Sequence, residues 1–292
     1  MLSLDLLVLV SLIYVAFLFG VAFWAERAVD AGRGGWMRTP LIYTLSLSIY
    51  CTAWTFYGAV GYAARSGLEF LTIYLGPTAV LIGWWLILRR LVRIARAERI
   101  TSIADLISSR FGKSAFLGGL VTVMAVVGTT PYIALQLQSV TLSVSAFAKD
   151  AQSIVSTSNI ALWIAAGLTV FTIIFGTRNL DVNERHSGVV MAIAVEAIVK
   201  LLALLAVGAF VVWGLAGGVG DVLTRIDASP ISQWQVSPGR WVGLTFLSAA
   251  AFLCLPRMFQ VMVVENSEES HLATAGWAFP LYLLLMSLFV IP

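Results

Sequence analysis

The chain has 292 residues, 60% of them hydrophobic and only 11% charged, with a mean hydropathy of +0.93. Soluble domains carry about 25% charged residues, so this chain has too few to cover a water-soluble globule of its size. That excludes a soluble enzyme, a nucleic-acid binder and a disordered chain. The formal charge of +3, from 18 Lys and Arg against 15 Asp and Glu, is too mild to suggest a polyanionic partner. What remains is an all-α integral membrane protein whose partner is the lipid bilayer.

A helix needs about 20 apolar residues to cross the hydrocarbon core. Uncharged runs predict about eight transmembrane helices, at roughly 6–25, 40–63, 69–88, 114–147, 157–177, 187–214, 240–256 and 273–292. The sixth requires Glu196 and Lys200 to lie inside the membrane. Span one does not read as a cleaved leader, because Met1–Asp5 is acidic and the apolar run is too long. Cys51 and Cys254 fall inside apolar runs and read as small core residues. Trp24, Trp84, Trp85, Trp213, Trp241 and Trp277 stand near span ends, as an aromatic belt requires. Trp54 stands near the middle of span two.

Eight spans alternate sides, so the basic residues test orientation. With the N-terminus outside, inner loops hold thirteen: Arg27, Arg33, Arg38, Arg89, Arg90, Arg93, Arg96, Arg99, Arg110, Lys113, Arg178, Arg185 and Arg257. Outer loops hold four, Arg65, Lys149, Arg225 and Arg240. The positive-inside rule then places both termini outside. In the inner segment 89–113, Ile100, Ile103, Leu106, Ile107 and Phe111 recur at helical spacing. With Thr101 or Ser102 as a cap and Gly112 as a stop, this reads as a short amphipathic helix on the inner surface; the other reading is a solvated charged loop.

Four spans break the pattern of smooth apolar helices. Span two gathers Ser48, Thr52, Thr55, Tyr57, Gly58 and Gly61 near mid-membrane. Such a segment either unwinds, exposing carbonyls to a cation, or packs neighbouring helices through its small residues. Span four is an uncharged run of 35 residues whose Pro131, after Gly128-Thr-Thr130, predicts a kink. Its Tyr132, Gln136 and Gln138 face either other helices or a solute. In span six, Glu196 and Lys200 share one face at i, i+4, as a structural ion pair or a charge-coupling one. Span seven is short and ends at Pro256-Arg257, a mark of discontinuous transporter helices. His186 and His271 are too isolated for a metal site, and neither a Walker loop nor a dinucleotide glycine pattern is present. No bond chemistry is expected of this chain.

Ser48–Gly61, followed by Ser66–Thr78, resembles the sodium/solute symporter domain at the N-terminus of certain bacterial sensor histidine kinases. Thr101–Gly112, ending Arg-Phe-Gly, is similar to that family's inner-surface motif. Pro131–Gln136, Gly176–His186 and Leu255–Asn266 resemble the kinase-linked branch in particular. The resemblance covers nearly the whole chain. It implies the first part of a LeuT-like five-plus-five inverted-repeat transporter fold, with span one as an extra N-terminal helix. Solute would bind between the interrupted centres of spans two and seven, with span four alongside. The implied substrate-binding residues are Thr52, Trp54, Thr55, Tyr57, Gly58, Tyr132 and Gln136, with Phe252 and Leu253 from span seven. Span-two carbonyls near Thr52 and Thr55 would form half of a sodium site, Na+ being a possible coupling ion of a longer protein. The remaining core helices and the kinase lie outside this sequence, so a fragment of a longer, inner-membrane polypeptide is expected. The partners implied are a small solute, a fused downstream kinase domain and its response regulator. The other readings are a stand-alone sodium-coupled symporter and a transport-dead membrane anchor.

Overall fold

A computed structural model describes residues 4–147, 157–176 and 187–291, and every element in them is helical. The apolar first span forms α1 (Leu4–Asp30), and Gly32, at φ +72°, reverses the chain after it. Among the described residues, three helices are long and apolar enough to cross a membrane: α1, α7 (Ala115–Phe147) and α9 (Ser187–Ala209, continued by a wide turn to Leu215). A fourth candidate is a bent pair, α11 (Pro238–Cys254) and α12 (Pro256–Phe259, continued by a wide turn to Val264), which meet at 60°. Of the other expected spans, the second and third divide, the eighth is shorter, and the fifth is a single 20-residue helix.

Span two divides. Thr39 caps α2 (Pro40–Ser46), its hydroxyl accepting the Ile42 N–H, and a tighter turn extends the helix to Tyr50. The chain is extended at Cys51 (φ −81°, ψ 105°) and resumes through the wide turn Trp54–Gly58 into α3 (Ala59–Ser66). The expected span at 69–88 also divides, because Gly83 ends α4 (Thr72–Ile82) and turns through 83–87 lead to α5 (Leu88–Glu98). α5 is a correction: the basic stretch is helical, with Leu88, Val92 and Ala95 buried and its arginines outside. The amphipathic helix follows as α6 (Ile103–Arg110). Ser102 accepts the Asp105 N–H at 3.1 Å while Asp105 accepts that of Thr101 at 3.1 Å, a reciprocal cap.

α7 runs without a break through Pro131, some 50 Å at helical rise. α8 (Thr157–Gly176) follows, while the motif 177–186 and Lys149 lie outside the described residues. α10 (Val219–Asp227) leads to α11, and α13 (His271–Ser287) closes the described chain. Cys51 is buried as expected, but Cys254 is exposed, since it sits on the outward face of α11.

α4 lies at the centre. It packs against α11 and α13, while α9 packs against α1 and α2. The contacts are close because small residues let backbones approach. A Cβ on Gly76 would stand 1.9 Å from Ser248 Oγ, and one on Gly188 would stand 2.6 Å from the Ala22 carbonyl. Pro77 has no N–H to give the carbonyl four residues back, Ile73. Tyr50 fills that place, donating its hydroxyl to the Ile73 oxygen at 2.8 Å. One residue earlier, Ser248 donates to the Thr72 oxygen at 2.7 Å. Thus the start of α4 supports both interrupted helices.

Candidate functional site

The two interrupted helices lie against each other. On one side of the breaks, Tyr43 of α2 donates to the Met262 carbonyl at 2.8 Å. At the breaks, Thr52 accepts from Tyr132 (3.0 Å), and Tyr132 accepts in turn from Arg257 Nη2 (2.7 Å). The Arg257 guanidinium also lies over the Tyr132 ring, 4.6 Å from its centroid. A polar chain therefore runs from the first break through α7 to the second. Arg257 Nε is buried with no hydrogen-bond partner among the described residues.

Arg257 is a correction. Counted as an inner-loop charge, it instead opens α12 at the break itself, because the chain beyond it stays helical to Val264. The apolar run Met258–Val264 was the signal that the helix continues. Taking it out leaves twelve of the thirteen inner basic residues in that count, against four.

Lys200 reaches the first break from α9. Its Nζ lies 3.0 Å from the Cys51 carbonyl, 3.5 Å from that of Ser48 and 3.3 Å from Glu196 Oε1. These carbonyls precede the positions expected for a half sodium site. The Thr52 carbonyl is taken by the Thr55 N–H at 2.9 Å, closing a local turn. Beside the ammonium is a cavity of about 240 Å³ lined by Thr52, Thr55 and Phe56, by Ala203, Leu204 and Val207 of α9, and by Met286 of α13. Of the residues expected at the site, Thr52 and Thr55 line it.

The others are spread around the breaks. Tyr57 shares a hydrogen bond with Ser143 of α7 at 2.9 Å, a partner the sequence reading missed. Trp54 is half-buried against the core, and its indole fills the space above Gly58, where a Cβ would stand 2.2 Å from the ring. Gly58 is therefore small to admit Trp54. Gln136 is half-buried one turn beyond Tyr132. Phe252 is fully buried, edge-on to Tyr50 and stacked on Phe279, with Leu253 packed on the same cluster. Neither lines the cavity, because that face of α11 packs the core.

Both ends of the pair are locked by Arg–Glu contacts. At one end, Glu69 is 5% exposed, accepts from Tyr62 (2.7 Å) and takes Arg240 Nε at 2.6 Å. At the other, Glu269 receives Arg89 and Arg93, the latter at 2.7 Å, while Arg96 donates to Asn266 Oδ1 at 2.7 Å. Hydrogen bonds from Arg93 and Arg89 hold the Glu269 carboxyl down at about 2.

The chain is similar to an uncharacterized symporter, YhjB, of Bacillus subtilis (strain 168), at 26% identity over 278 residues. The match takes in 91% of this chain and 52% of the relative, so the chain spans about half the length of the curated relative it matches. No family profile and no solved structure matches it. The long apolar helices make it a multi-pass membrane protein, and its sequence is similar to that symporter.

Proposed function

We propose that the chain is a solute transport or sensing module of the sodium/solute symporter type, with its solute site between the two interrupted helices. The supporting observation is the meeting of the breaks through Thr52, Tyr132 and Arg257. Interrupted helices expose backbone polar groups and half-helix ends at mid-membrane, where a solute can use them. Thr52, Trp54, Thr55, Tyr57, Gly58, Tyr132 and Gln136 would form the solute side, with Arg257 added. A buried guanidinium N–H without a partner suits a carboxylate, so the solute class is a small organic acid or an amino acid.

In this reading the chain sits in a bacterial inner membrane with its N-terminus outside. It performs no bond chemistry itself and is the input domain of a sensor histidine kinase, fused to a downstream kinase that addresses a response regulator. The test is uptake of radiolabelled amino acids and short carboxylates by the full-length protein in proteoliposomes, alongside solute-dependent autophosphorylation. Uptake that Trp54→Ala lowers about tenfold, equivalent to about 1.4 kcal/mol, supports the module. Uptake with no kinase response points to a stand-alone symporter. Loss of both leaves only a membrane anchor and overturns the proposal.

A further inference from the structure

We propose that Lys200 is the resident cation of the first break: its ammonium occupies the carbonyl position where a transporter of this construction lodges a coupling ion. Solute then binds there without sodium. This rests on the solute-module reading above and deepens it.

Where a helix is interrupted, the last carbonyls of its first half lack intrahelical donors, and the aligned peptide dipoles leave about half a negative charge at that end. Unwound carbonyls of this kind coordinate the coupling cation in discontinuous helices. Here α2 and its extension end at Tyr50, and the Cys51 carbonyl faces Lys200 Nζ at 3.0 Å; the Ser48 carbonyl, which already accepts the Cys51 N–H at 2.8 Å, lies farther off at 3.5 Å. The ammonium has three donors and no acceptor. It meets three oxygens, those two carbonyls and Glu196 Oε1, within 3.0–3.5 Å.

The surroundings favour a tethered charge over a free one. Among the described residues, Lys200 is the one cation lining the adjacent cavity, whose other walls are mostly Phe56, Ala203, Leu204, Val207 and Met286. In so apolar a setting a second cation on the same carbonyls would be repelled at short range. Sodium and the Lys200 ammonium are therefore mutually exclusive at this place. Glu196 balances the charge from one turn earlier on α9, so the ion pair and the carbonyl contacts form one unit.

The test uses the full-length protein in detergent and the ion alone. Thermal unfolding is followed by tryptophan fluorescence in sodium chloride and in N-methylglucamine chloride of equal ionic strength, so that screening is matched. The wild type is expected to unfold within about 1 °C in the two salts. Lys200→Ala is expected to unfold earlier in N-methylglucamine and to recover by about 2 °C or more with sodium or ethylammonium, either of which can refill the vacated carbonyls. A wild type raised by sodium to that extent overturns the proposal. So does a folded Lys200→Ala that recovers with neither ion, because the lysine then only pairs with Glu196. Should Lys200→Ala fail to fold, radioactive sodium binding by the wild type decides: no saturable binding supports the proposal, and about one ion per chain overturns it. These readouts need no solute, so they fail independently of the uptake test.

Discussion

The two interrupted helices meet break to break, yet they handle charge in opposite ways. At the first break the chain contributes carbonyls, and a cation comes to them from α9. At the second break the chain contributes the cation itself: Arg257 projects from the start of α12 onto Tyr132 and keeps one buried N–H without a partner among the described residues. The cation at the first break is thus paired from within the protein, while the cation at the second presents unused donor capacity. The lesson is that two helices broken for the same backbone reason need not offer a ligand the same chemistry. What reaches each break from neighbouring helices decides it.

The comparison depends on both helices leaning on α4, and the largest expected effect comes from wedging that support apart. Gly76→Val places a Cβ 1.9 Å from Ser248 Oγ and 2.4 Å from the Ala249 backbone N, which cannot move aside as a side-chain tip would. A loss of about 3 kcal/mol is expected, the upper part of the overpacking range, read as a lowered unfolding midpoint. If Gly76→Val is as stable as the wild type, α4 is not the shared support. Next comes Gly58→Ala, which acts on the first break alone by pushing into the Trp54 indole. It is expected to cost about 1–2 kcal/mol and to shift the Trp54 emission, seen against a background in which Trp54 has been replaced.

Tyr132→Phe cuts the hydroxyl that joins the breaks among the described residues, leaving Thr52 and Arg257 each short of a partner. Removing a shared hydrogen bond of this kind costs about 1 kcal/mol. The loss should vanish in an Arg257→Leu background, which removes the unsatisfied donor; a loss that persists would mean the phenol acts elsewhere. The smallest effect sharpens the contrast at the helix ends. Glu269 is held at about 2, below its ordinary value of 4.5, by Arg93 and Arg89. A depressed carboxyl contributes stability that is present above its unfolded-state value and is lost as pH falls through the folded one. The midpoint difference between wild type and Glu269→Gln should therefore be flat above about pH 5 and narrow as pH falls from 4.5 towards 2. A difference that changes between pH 6 and 8 would assign the contact to another group.

Composition alone decided that the chain belongs in a membrane, because so few charges cannot cover a globule in water. Local pattern also placed α6, with Thr101 or Ser102 as its cap, and offered an interruption near Thr52 as one of two readings, since small and hydroxylated residues at mid-span suit both unwinding and helix packing. The i, i+4 spacing of Glu196 and Lys200 likewise fixed their pairing, which depends only on helix geometry. Uncharged runs could not show where helices divide. Within 69–88 hydropathy stays high across the turn after Gly83, so one span was read where α4 ends and α5 begins. The second break was read as a span end for a related reason: proline and arginine look like a boundary unless the apolar residues after them are counted.

Tertiary structure alone decided which polar groups meet. Phe252 and Tyr132 sit equally well in apolar helices by sequence, yet one is buried against Tyr50 and Phe279 and the other bridges the two breaks. That Lys200 lands on the Ser48 and Cys51 carbonyls depends on how α9 crosses α2, where residues 149 and 152 positions apart in sequence come within hydrogen-bond reach. Periodicity specifies which face of a helix is apolar; the neighbour that face meets follows from packing the whole set of helices, where a polar group in hydrocarbon must find a partner or face a cavity.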